Sequence, residues 1–164
     1  RTETEIALLR HLTARFGRVS YERILSGPGL ANVYEFAKAT SAHRESPSVR
    51  EEIARADDAA PIISRAALEA SDPLACEALD LFVTIYGAEA GNLALRAVAF
   101  GGVYVTGGIA AKILPRLQTG LFVEAFGNKG RLSPIVRSFP IFVVLNPTTG
   151  LLGAAAEAVR IAEG

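Results

Sequence analysis

Glu22 stands four residues ahead of a Ser26-Gly27-Pro28-Gly29 turn, in the stretch VSYERILSGPGLANVYEF that runs from Val19 to Phe36. An ionised carboxylate accepts hydrogen bonds and donates none, which suits a neutral ligand rich in hydroxyl donors, such as a sugar. The rigid turn behind it would hold such a group in place. The competing reading is a solvated helix carboxylate, the common state of charged side chains. A second candidate is the pair Gly107-Gly108, which closes VYVT and precedes IAAKIL. Glycines at the carboxyl end of a strand let a ligand approach the backbone, and the next helix offers free N–H groups and a positive dipole end. That describes a nucleotide seat, but a tight structural turn uses the same glycines. The segment is neither G-x-G-x-x-G nor a Walker A loop.

The remaining reactive residue types carry less. Lys129 and Arg131, in NKGR, could meet an anion, although a solvated loop is the preferred reading. His11 and His43 lie far apart with no Cys or carboxylate at ligand spacing, so both read as surface residues and no metal site is expected. Cys76 falls in the first turn of a long helix with no base beside it, and packing is its default role. No serine-based nucleophile motif is present.

These residues need elements to position them. Thr2 and Glu5 have capping-box spacing, and Ile6, Leu9, Leu12 and Phe16 recur at helical intervals up to Gly17. Ser20 can cap a short helix carrying Glu22. Pro28 opens the next helix, with Leu30, Val33, Tyr34 and Ala37 facing inward. Residues 40–60 form a polar excursion with one short helix, and are expected to be the most mobile part of the chain. From Pro73 to about Val98 the spacing of Leu74, Ala78, Leu81, Phe82, Ile85, Leu93 and Ala97 predicts a long central helix; Gly87 and Gly91 would permit close packing. VYVT and FPIFVVL read as buried strands. The pieces IAAKILPRL and GLFVEAF between them, and the Ala-rich end of the chain, read as helices. That alternation implies two parallel strands in an incomplete α/β sheet.

Composition narrows the class. The 164 residues include 17 basic and 17 acidic side chains, for a net charge of zero. Without a basic stripe, neither nucleic acid nor an anionic membrane surface is an expected partner. The apolar runs are too short to span a bilayer, and residues 1–17 read as an amphipathic helix, not a signal peptide. One cysteine excludes an intramolecular disulfide and fits a reducing compartment, the cytoplasm. A chain that begins with Arg and contains no Met is expected to be part of something longer.

Taken together, SYERILSGPGLANVY, GNLAL, GGVYVTGGI, KGR and GLLGAA follow the order and approximate spacing of the bacterial glucokinases, and nearly the whole chain resembles the carboxy-terminal part of that family. The resemblance implies an actin-like, ribonuclease H-like ATPase fold of two α/β domains. Residues 1–164 would be the carboxy-terminal portion of the large domain, with the amino-terminal domain absent. It implies transfer of the γ-phosphoryl group of ATP to the 6-hydroxyl of glucose, with Mg²⁺, and commonly a homodimer. Glu22 matches the glutamate that holds the sugar, and Gly107 and Gly108 match the adenosine motif. The Asp-x-Gly-Gly-Thr phosphate loop, the catalytic aspartate, the second phosphate loop and the Gly-Glu-Gly-Gly-His sugar motif do not occur here. The family carries all of them upstream. The base and most ATP and Mg²⁺ contacts are therefore expected outside this chain, which alone is expected to be inactive. A sugar- or nucleotide-sensing module without turnover is the alternative, and an α/β interaction domain the plainest reading.

Overall fold

A computed structural model describes residues 2–163. Helix α1, Glu3–Phe16, begins with the expected capping box: Glu5 N donates to Thr2 Oγ1, and Thr2 N to the Glu5 carboxylate. Leu8 and Leu12 are its buried residues, whereas Leu9 is half exposed. Of the expected stripe Leu12 is buried and Ile6 and Phe16 half-buried; Leu9 alone departs, and it edges an apolar groove with Val19, Tyr21, Ile24 and Ile85. A 3-10 turn, Tyr21–Arg23, follows, and then α2, Gly27–Thr40, which buries Leu30, Val33, Tyr34 and Ala37 as expected.

The polar excursion contains the one short helix anticipated, α3, Pro47–Arg55. It is tied to the core by two carboxylates. Glu45 accepts from the buried Tyr34 hydroxyl and pairs with Lys38 and Arg50. Asp72, fully buried, accepts from Ser46 N and from Ala75 N. Sequence reading passed over α4, Ala60–Leu68, although Ala60, Ile63 and Ala67 keep helical spacing and are buried. It has no side-chain N-cap to announce it.

Helix α5, Pro73–Ala97, is the central element, with α2 and α4 packed against it. Leu74, Ala78, Phe82 and Ile85 are buried as expected, but Leu93 and Ala97 are exposed. In its last turns the packed face is set by Gly87, Gly91 and Ala94, and Leu93 points elsewhere. Strands β1, Val103–Val105, and β2, Ile141–Val143, pair in parallel with Val103 opposite Ile141. Between them run α6, Gly108–Lys112, α7, Leu114–Leu117, α8, Leu121–Gly127, a 3-10 turn at Gly130–Leu132, and α9, Ser133–Val136. This is the helix-rich, two-stranded parallel architecture that the sequence implied, but the strands are not buried as expected: Tyr104 and Phe142 are exposed, because a two-stranded sheet is covered on one face only.

Helices α5 and α8 meet backbone to backbone. A β-carbon on Gly87 would stand 2.2 Å from the Phe122 carbonyl oxygen, and one on Gly91 2.2 Å from that of Phe126. The two glycines one turn apart therefore create the contact. The chain closes with α10, Thr149–Glu163, every residue of which is exposed. Among the described residues, no helix is long and apolar enough to cross a membrane.

Candidate functional site

The turn that carries Glu22 is held from beneath by α2. Ser26 Oγ donates to the Glu22 carbonyl at 2.7 Å and accepts from Gly29 N at 3.0 Å, so one hydroxyl caps the helix and secures the turn. Asn32, only 8% exposed, donates through Nδ2 to the Arg23 carbonyl at 2.9 Å and accepts from Arg15 Nη1 at 3.2 Å. Ser20, expected to cap this turn, sits at its N-cap in extended conformation, but its side chain makes no capping bond. A 3-10 turn of three residues is held more firmly from the neighbouring helix than from its own start.

Gly29 is fixed by contact. A β-carbon there would stand 2.2 Å from the Ile24 carbonyl oxygen, so only glycine lets α2 begin this close to the turn. The Glu22 side chain is exposed, and no described residue pairs with its carboxylate. It borders a cavity of about 360 Å³ with Ser20, Arg23, Ser26, Pro28, Gly29 and Asn32. Arg23, its sequence neighbour, has its guanidinium 4.4 Å from the centre of the Phe16 ring, and the Arg15 guanidinium lies 4.8 Å from the same centre. The cation next to Glu22 in sequence, Arg23, is thereby drawn to an aromatic face.

Gly107 and Gly108 lie at the carboxyl end of β1, and both are exposed. Gly107 has φ +102°, a conformation that favours glycine. No atom lies within 4 Å of a β-carbon built on either residue, so the backbone is open to approach. Helix α6 has only five residues before it ends at Ile113, so its dipole contributes less than the sequence suggested. A second cavity, about 130 Å³, lies beside α2 and α6, and neither Glu22 nor the Gly107-Gly108 pair lines it. Ser26, Gly27 and Leu30 at the start of α2, Ala60, Pro61 and Ser64 of α4, Phe82 of α5, and Ile109, Lys112 and Ile113 are among its lining residues. Arg116 ties α7 to α5 through a bidentate pair with Asp80.

Lys129 is not a solvated loop residue. Its Nζ donates to the Ala88 carbonyl at 2.8 Å and to that of Ala125 at 3.4 Å, bolting α5 to α8. Gly91 makes room for its stem, since a β-carbon there would stand 2.7 Å from Lys129 Cε. His11 is half-buried, edge-on to Phe36 with ring centres 5.6 Å apart, and so departs from the surface reading; His43 is exposed. The Cys76 Sγ faces the Ala67 carbonyl, and burial pushes its thiol pKa up against the opposing pull of Arg116.

Sequence reasoning missed Asn32 and Ser26. The signal for Asn32 was a lone amide amid Leu30, Val33 and Tyr34, on a face that is otherwise apolar. Ser26 was noticed only as part of the turn.

The sequence profile of the family described as Glucokinase matches residues 1–161. A glucokinase of Synechocystis sp. is 42% identical over 98% of this chain and 48% of its own length. That of Marinobacter nauticus is 46% identical over 93% of this chain and 44% of its own. A crystal structure of a glucokinase from an Antarctic psychrotroph superposes with a TM-score of 0.77 at 33% identity, over 95% of this chain and 45% of that one. The chain spans about half the length of the curated relatives it matches.

Proposed function

The chain belongs to the glucokinase family, and from that premise we propose that it is the carboxy-terminal part of the large domain of an ATP-dependent glucose kinase. The complete protein passes the γ-phosphoryl group of ATP to the 6-hydroxyl of glucose: the bond from that phosphorus to the β-phosphate oxygen breaks, and a bond to the sugar oxygen forms. The observation that carries this reading is the exposed Glu22 carboxylate, without a partner among the described residues and held on a braced turn at the edge of a polar cavity.

Glu22 accepts hydrogen bonds from sugar hydroxyls and orients the ring. Gly107 and Gly108, open to the outside at the end of β1, let the adenosine part of the nucleotide lie against the backbone. Mg²⁺ screens the phosphate charge when it is bound. Among the described residues no three His, Cys, Asp or Glu side chains come together in a metal-binding group, and Mg²⁺ at a kinase site is held mainly by phosphate oxygens, water and one or two carboxylates. Phosphoryl transfer depends on positioning and charge stabilisation, together with a carboxylate that orients the attacking hydroxyl. This chain supplies two walls of the site, and the base belongs to the rest of the protein.

The test is a coupled assay of ATP-dependent glucose phosphorylation on the complete gene product and on this chain alone. Activity confined to the complete protein is expected. Turnover by the short chain would overturn the assignment of the base to the remainder, and silence of both would overturn the kinase reading.

A further inference from the structure

Two carbonyl oxygens of the Glu22 turn are held by side chains of α2. Ser26 Oγ takes that of Glu22, and Asn32 Nδ2 takes that of Arg23. Ser26 is a simple capping residue, and its hydroxyl has a local reason to be there. Asn32 has none. It is an amide on the packed face of a helix, and a buried amide is tolerated only where its donor and acceptor both find partners. Both do. The donor goes to the turn, and the acceptor to Arg15, which comes from α1, 17 residues earlier. Three segments, α1, the turn and α2, thus converge on one side chain.

We propose that Asn32, oriented by Arg15, is a positioning residue for sugar binding: it fixes the direction in which Glu22 leaves its turn, and so sets sugar affinity without affecting the nucleotide. This rests on the kinase reading above. A three-residue 3-10 turn has few internal bonds to resist rotation of its peptide planes. With the carbonyls of residues 22 and 23 both anchored, the Cα–Cβ bond of Glu22 keeps a fixed direction relative to α2, and only its side-chain torsions remain to be ordered when the sugar binds. Ordering them in advance lowers the cost of binding. The Arg15 contact also keeps the amide from turning over, since a flipped Asn32 would set an oxygen against the Arg23 carbonyl.

The experiment uses the complete protein. Asn32→Asp keeps size and the acceptor for Arg15 but replaces the donor with an anion facing the Arg23 carbonyl. The expected result is a rise of about tenfold or more in the KM for glucose, the effect of losing one well-placed hydrogen bond, with the KM for ATP unchanged. Arg15→Ala, at an exposed position, should shift the same constant in the same direction by a smaller factor and leave folding intact. Should Asn32→Asp fail to fold, the Arg15 variant decides. A folded variant whose glucose KM stays at the wild-type value would overturn the proposal, as would a parallel rise of both KM values, since a packing role predicts no selectivity. A wild-type protein without glucose kinase activity would overturn the kinase reading and this proposal with it, so the two failures are told apart.

Discussion

The Ile24 carbonyl oxygen occupies the space that a β-carbon on Gly29 would need, 2.2 Å from its ideal position. The obstacle is backbone on both sides, so no side chain can swing away to relieve it. The glycine of the Ser-Gly-Pro-Gly turn is therefore what lets a helix start directly against the segment that carries Glu22.

Gly29→Ala should push the start of α2 off the turn. The expected loss of stability is about 1–3 kcal/mol, as for other overpacked contacts, read from urea unfolding by near-ultraviolet circular dichroism. Sugar affinity in the complete protein should fall as well, because Ser26 and Asn32 both reach the turn from α2. An unchanged midpoint would show that α2 can move without cost.

Gly87→Ala and Gly91→Ala set two effects against each other. Alanine favours a helix by about 1 kcal/mol over glycine. The same methyl group would collide with the backbone of α8 at Phe122 or Phe126, a term of about 1–3 kcal/mol. The collision should win, so both variants should unfold at lower urea concentration than wild type. A stabilised variant would mean that α8 slides readily along α5.

Glu22→Gln removes the charge and keeps the shape. No described residue pairs with the carboxylate and the side chain is exposed, so stability should change by no more than about 0.5 kcal/mol. In the complete protein the lost charged acceptor should raise the KM for glucose on the order of tenfold or more, since hydrogen bonds to charged groups contribute about 1.5–3 kcal/mol. Wild-type kinetics would remove Glu22 from the sugar site.

Alkaline pH should unfold the chain through its buried phenols. Burial, then the neighbouring Asp72 and Glu45 carboxylates, holds the Tyr34 hydroxyl well above the usual phenol range, and burial also raises that of Tyr86. In the unfolded chain both ionise near the ordinary value of about 10. The native state then binds more protons than the unfolded state, and the stability gained below that pH is lost as pH rises beyond it. Tyrosinate absorbance of these two residues should therefore appear together with loss of near-ultraviolet dichroism. Ionisation of Tyr34 in a still-folded chain would contradict its burial against Glu45.

The long elements were legible because repeated spacing declares them. Leu74, Ala78, Phe82 and Ile85 mark α5, and Thr2 with Glu5 marks the start of α1. Short elements stabilised by distant contacts were not. Helix α4 has no capping side chain, and α9 spans only four residues, so neither announces itself locally. Leu9 and Leu93 show the limit of a periodic stripe: which neighbour a helix meets decides which adjacent row is covered. At the site, Glu22 and the glycine pairs were visible as residue types near turns. The roles of Asn32, Arg15 and Lys129 depend on partners 9 to 41 residues away, and no local pattern encodes such partners.

Helix α10 lies wholly in the open, with Leu151, Leu152, Val159 and Ile161 among its exposed residues. A helix of 15 residues without packing is marginal in water, because nucleation is costly and only tertiary contact normally repays it. Such a segment is expected to fray with gentle warming, before the assembly around α5 unfolds. Far-ultraviolet ellipticity and tertiary packing then report different transitions. A melting temperature read from helix content would then average a gradual local transition with a sharp global one, and a two-state conversion of that curve would misstate the folding free energy of the assembly around α5.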